Sequence, residues 1–141
     1  PDHMPGFDEV EILVVDDDPD MRETLQMILE SGGYTVVLAE DGEQCLAKLK
    51  EEHPDLLILD LLMPNMDGFE VCKALKDPRL AKYAQIPIII LSSVQEDVSQ
   101  RRYELEMGIQ LDVDDYVEKP VEGSVLLRRV DRIIKRITKE S

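Results

Sequence analysis

At 141 residues the chain has room for one domain with a real core. Its formal net charge of -15, from 31 acidic and 16 basic residues, argues against direct nucleic-acid binding, because phosphate backbones attract basic surfaces. No apolar run approaches the roughly 20 residues of a membrane span and no signal peptide is present, so a soluble cytoplasmic protein with no membrane partner is expected. Pro1-Asp2-His3-Met4 reads as an expression-vector remnant, which sets residues 1–7 aside and places the domain at 8–138.

The first apolar run, Ile12 to Val15, reads as a strand and closes on Asp16 and Asp17. Asp18-Pro19 then supplies a helix cap and a proline at the first helical position. Leu25, Ile28 and Leu29 form one apolar face, and Gly32-Gly33 stops the helix. A second strand spans Thr35 to Leu38, and Asp41-Gly42 opens a second helix with Leu46 and Leu49 facing in. The third strand, Leu56 to Leu59, ends on Asp60, and Asp67-Gly68 opens a third helix with Phe69, Cys72 and Leu75 inward. Pro87 to Leu91 is the fourth strand, ending in Ser92-Ser93, where Ser93 caps a fourth helix running to about Gly108. The fifth strand, Tyr116-Val117, leads through Glu118 to Lys119-Pro120, and the last helix runs from about Gly123 to Ile137.

Nearly continuous apolar strands alternating with helices predict an α/β fold with a doubly wound parallel sheet, covered on both faces. Such sheets bind ligands beyond the carboxyl ends of their strands. Those ends carry Asp16 and Asp17, Asp60, Ser92 and Lys119. Gathering three carboxylates is costly unless a divalent cation or a lysine joins them. Cys45 and Cys72 lie in helix-like segments without metal-ligand spacing and read as reduced core thiols. His53 sits in a loop before Pro54, and His3 in the presumed remnant; neither is read as a ligand or a catalyst.

Taken together, Val14 to Asp17, Leu59-Asp60 with Met63-Pro64 and Met66-Asp67-Gly68, Pro87 through Ser92, and Tyr116 through Pro120 resemble the receiver domain of two-component response regulators. The resemblance covers about residues 10 to 137. It implies a flavodoxin-like five-stranded sheet in the order 2-1-3-4-5. It implies Asp60 as phosphoacceptor and Mg2+ held by Asp17, Asp60, Asp16 and the main-chain carbonyl of Leu62. Lys119 would neutralise phosphoryl charge, Ser92 would hydrogen-bond a phosphoryl oxygen, and Tyr116 would turn inward as the switch closes. The phosphoryl donor would be a phosphohistidine on a sensor kinase or a histidine-phosphotransfer protein. The residue types suit that chemistry, because phosphoryl transfer develops charge on equatorial oxygens that cations stabilise. The protein would be a phosphorylated switch rather than an enzyme acting on a separate substrate.

Asp114-Asp115, with Arg129 and Arg136, partly match the charges that bridge two copies of DNA-binding response regulators, which raises a homodimer through helix 4, strand 5 and helix 5. The third pair would fall on Gln100 and Val125, which cannot form one. The loop from Gly108 to Asp115 is about four residues longer than the family's usual length. Leu62 and Val94 occupy the two positions that set phosphoryl lifetime in the family; neither orients a water, so slow self-dephosphorylation is expected. Two other readings compete. An aspartyl-nucleophile phosphohydrolase needs an acid two residues after its nucleophile, where Leu62 stands. A phosphorylation-independent interaction module of the same fold usually lacks one of the acids or the lysine, and all are present here.

Overall fold

The computed structural model describes residues 10–93, Arg102 and 113–140. Five parallel strands form one sheet in the order β2-β1-β3-β4-β5. They are β1 (Glu11–Val15), β2 (Thr35–Ala39), β3 (Leu56–Asp60), β4 (Ile88–Ser92) and β5 (Asp115–Glu118). The central strands β3 and β4 are buried along their whole length, and β1 is buried from Ile12 on. The edge strands β2 and β5 keep partly exposed positions, because each lacks a neighbour on one side.

Side chains alternate across the pleat and seed two cores. Leu13, Val15, Leu57, Leu59 and Ile90 point to one face and meet α2 (Gly42–Glu52) and α3 (Gly68–Ala74) through Cys45, Leu49, Phe69 and Cys72. Ile12, Val14, Ile58, Ile89 and Leu91 point to the other face. They meet α1 (Pro19–Ser31) and the C-terminal helix (Gly123–Glu140) through Leu25, Leu29, Leu126, Val130 and Ile133. Both cysteines are buried free thiols, as expected, and burial pushes the Cys45 thiol up to about 12.

The caps fall where the sequence puts them. Asp18 caps α1 with Pro19 in its first turn, Asp41 caps α2, and Asp67 forms a full capping box with Glu70 on α3. Gly32 ends α1, and Gly33 takes a positive φ of 93°. One element was not expected, a 3-10 helix over Pro78–Tyr83. Its signal was present in the sequence: Asp77 accepts from the Arg79 amide and Pro78 fills the first turn. Apart from Ser93 and Arg102, the helix expected from Ser93 to Gly108 lies outside the described residues, as do Val94, Gln100 and most of the long loop. No helix among the described residues is long and apolar enough to cross a membrane.

Candidate functional site

Asp16 follows β1, Asp60 ends β3, Ser92 ends β4, and Lys119 follows β5. Parallel pairing puts all four ends at the same edge of the sheet. Among the described residues the buried polar or charged side chains are Asp16, Asp60 and Ser92, and all three lie at this edge. Buried polar groups are costly unless partnered, so three gathered at one edge mark it as the candidate site.

The acids converge as expected. Asp16, Asp17 and Asp60 each offer a carboxylate oxygen, and these oxygens all lie within 4.8 Å of one another. Asp17 is exposed while its two neighbours are buried, which leaves the cluster open to solvent on one side. Lys119 reaches in from β5. Its Nζ donates to Asp60 Oδ1 at 3.1 Å and stands 3.5 Å from Asp16 Oδ2. Asp16 Oδ1 accepts from the Asp18 amide at 2.9 Å, but Oδ2 has no hydrogen-bond partner. Burial pushes the Asp16 carboxyl above its usual range, against the opposing pull of the Asp18 amide and Lys119. One lysine thus stands beside a cluster of three carboxylates, and the buried Asp16 Oδ2 has its ammonium as an ionic neighbour at 3.5 Å but no hydrogen bond. Hard divalent cations take such all-oxygen sets.

The loop after Asp60 is set by glycine. The Gly68 amide donates to the Leu61 carbonyl at 2.8 Å. A Cβ there would sit 2.6 Å from the Asp60 carbonyl oxygen. The N-terminus of α3 therefore rests directly on the Asp60 backbone, which requires the missing side chain. Between them Leu62 is exposed and Asn65 takes a left-handed φ of 67°. On β4, the Ser92 carbonyl accepts from the Lys119 amide at 2.7 Å. Tyr116 is exposed on the edge strand, and the Lys119-Pro120 peptide is cis.

Residues 12–131 match the family described as the response regulator receiver domain. The chain belongs to that family. Among curated relatives, the probable transcriptional regulator ycf27 of Porphyridium aerugineum is 41% identical over 130 residues, covering 92% of this chain and 50% of that protein. The alkaline phosphatase synthesis transcriptional regulatory protein PhoP of Bacillus subtilis is 39% identical over 125 residues, covering 89% and 48%. This receiver thus spans about half the length of the curated relatives it matches. Among solved structures, a putative response regulator from Chloroflexus aurantiacus aligns with a TM-score of 0.73 at 34% identity, covering 90% of this chain and 98% of that one. The chemotaxis response regulator CheY4 of Vibrio cholerae aligns at 0.72 and 29%, covering 89% and 98%. The protein is a two-component response-regulator receiver, with the strand order of that fold.

The receiver's acids and arginines at β5 pair inside the chain. Arg129 Nη1 donates to Asp115 Oδ1 at 2.6 Å, and Arg136 Nη2 to Asp114 Oδ1 at 2.8 Å. Sequence reading passed over two residues at the site. The sequence marks Gly68 as a helix start, but its need to be glycine comes from the approach to the Asp60 backbone. Arg22 was not singled out, yet its guanidinium reaches the Asp16 main-chain carbonyl.

Proposed function

We propose that Asp60 accepts a phosphoryl group from a phosphohistidine of a sensor kinase or histidine-phosphotransfer protein. An Asp60 carboxylate oxygen would bond to phosphorus as the phosphorus–nitrogen bond breaks, and the imidazole would leave with the electron pair. The observation that carries this reading is the location of the buried polar side chains, all at one sheet edge beside Lys119. Asp16, Asp17 and Asp60, with the Leu62 carbonyl, would hold Mg2+; the buried Asp16 Oδ2, which makes no hydrogen bond, fits such a guest. When bound, Mg2+ supplies positive charge against the carboxylates and the phosphoryl oxygens.

Lys119 now holds Asp60 and would pass to a phosphoryl oxygen once that carboxylate becomes an acyl phosphate. Ser92, buried on the neighbouring strand, would donate its hydroxyl to another. Tyr116 is exposed in this state and would turn inward as Ser92 engages. The exposed apolar Leu62 offers no group to activate water, which favours a long-lived phosphoryl group. A homodimer through the β5 face would have to trade the Asp114 and Asp115 pairs between copies. In a longer protein, such as the curated relatives, the phosphorylated face would signal to an attached effector.

Intact mass after incubation with acetyl phosphate, with and without Mg2+, tests the reading. A Mg2+-dependent gain of one phosphoryl group is expected in wild type and none in Asp60→Asn. A gain retained in Asp60→Asn would overturn the assignment of the acceptor. The decay of the added mass then measures the lifetime.

A further inference from the structure

Two of the three acids sit on the turn between β1 and α1. Asp16 marks the end of its sheet bonding, with its amide donating to the Ala39 carbonyl at 3.2 Å. Its carboxylate is held by the Asp18 amide at 2.9 Å. The third anchor is Arg22, whose Nη1 donates to the Asp16 carbonyl at 2.7 Å. That carbonyl belongs to the planar peptide joining Asp16 to Asp17, so fixing its direction fixes how Asp17 leaves the sheet. Asp17 is itself exposed and depends on this peptide for its placement.

Arg22 is braced for the task. Its side chain is only 15% exposed, and Nη2 lies 3.9 Å from Glu40 Oε2. Gln44 holds Glu40 in turn, donating from Nε2 at 3.1 Å and accepting from the Glu40 amide at 2.9 Å. The chain of contacts thus runs from the head of α2 through the end of β2 to the acid turn. Local preference does not explain the residue: a cation near a helix N-terminus opposes the helix dipole. Nor does its charge serve a cation site, since a guanidinium near the acids repels a metal ion.

The geometry points to Arg22 as a positioning residue: its guanidinium fixes the Asp16–Asp17 peptide and so presets both turn acids for a divalent cation. The cation part rests on the proposed function above; the ordering of the turn does not. Charge and positioning predict opposite signs. If charge alone mattered, Arg22→Gln would bind Mg2+ more tightly and Arg22→Lys would match wild type. Under positioning both variants bind more weakly, because a lysine cannot span the carbonyl and Glu40 together.

Titration calorimetry with Mg2+ on the unphosphorylated protein, beside amide exchange of Asp18 without metal, decides it. The expected result is about tenfold weaker Mg2+ binding in both variants, the usual scale for loss of a group that orients metal ligands. Faster exchange of the Asp18 amide should accompany it. Mg2+ affinity and Asp18 exchange equal to wild type in Arg22→Lys would overturn the inference, even with a lowered melting temperature. So would tighter Mg2+ binding by Arg22→Gln. If Arg22→Gln does not fold, Arg22→Lys carries both readouts. If wild type itself binds no Mg2+, the metal reading falls, and Asp18 exchange still decides the role of Arg22 in the turn.

Discussion

Two groups of ion pairs sit a few residues apart along the chain and differ in every respect that matters. On the β5 edge, Arg129 meets Asp115 and Arg136 meets Asp114, one cation to one acid, with each partner partly exposed. At the carboxyl ends of the strands, Lys119 meets Asp60 and Asp16, and Asp17 joins them, one cation to three acids. The first group is balanced and largely solvated, and such pairs contribute little. The second is unbalanced and buried, where an uncompensated charge costs the most. A complete set of partners makes a structural site; an incomplete one makes a site with work to do.

Removing Lys119 should show the difference most strongly. Lys119→Met is expected to slow phosphorylation by acetyl phosphate about 100-fold, the scale for losing one donor to a developing charge. Mass spectrometry against time measures it. Urea unfolding of the same variant without metal should show a loss of about 2 kcal/mol, below the range for fully buried pairs, because the lysine side chain is 23% exposed. A rate within a few fold of wild type would place the two groups of pairs in one class.

Gly68→Ala tests the Asp60 backbone rather than its charge. The added methyl group meets the Asp60 carbonyl oxygen at 2.6 Å, so α3 or Asp60 must shift. A stability loss of about 2 kcal/mol is expected in urea, together with slower phosphorylation. Unchanged kinetics would show that α3 yields while Asp60 stays.

Asp16→Asn relieves the imbalance instead of worsening it. It should stabilise the metal-free protein at pH 7 by about 1 kcal/mol, the low end for a poorly satisfied buried acceptor, while abolishing Mg2+ binding. The sign follows from linkage. The Asp16 carboxyl is raised in the folded state, so folding binds its proton more tightly than the unfolded chain does. The penalty is full well above that raised value, shrinks as pH falls through it, and is gone below the ordinary aspartate range. The advantage of the variant over wild type should shrink over the same window; a constant difference from pH 7 to 3 would contradict it.

Arg136→Ala is the small end of the series. An exposed pair of this kind contributes about 0.5 kcal/mol, and the melting temperature should fall only slightly. A loss as large as that of Lys119→Met would erase the contrast.

The strands, caps and acids were legible in the sequence because each has a local signal. Apolar runs of four or five residues end abruptly on Asp16, Asp60 and Ser92, a shorter one leads to Lys119, and Asp18, Asp41 and Asp67 stand one residue before the helices they cap. The residues that were not legible act through backbone. Arg22 bonds a carbonyl six positions back, and Gly68 matters for the side chain it lacks. Periodicity carries no trace of either. For Asp114 and Asp115 the residue types showed that arginine partners existed, and the fold adds that in the single chain these are Arg136 and Arg129.

Asp114 does more than pair with Arg136. Its Oδ2 accepts from the Ile88 amide at 2.8 Å, and its own amide donates to the Ile88 carbonyl at 2.9 Å. The first residue of β4 is thereby riveted to the C-terminal helix through one carboxylate, while Ser92 stands at the strand's far end. If Ser92 moves toward a phosphoryl oxygen as proposed, its travel would be a pivot about this fixed base, not a slide along the sheet. The strand would then act as a lever whose fulcrum is Asp114, with a throw that grows with distance from that rivet.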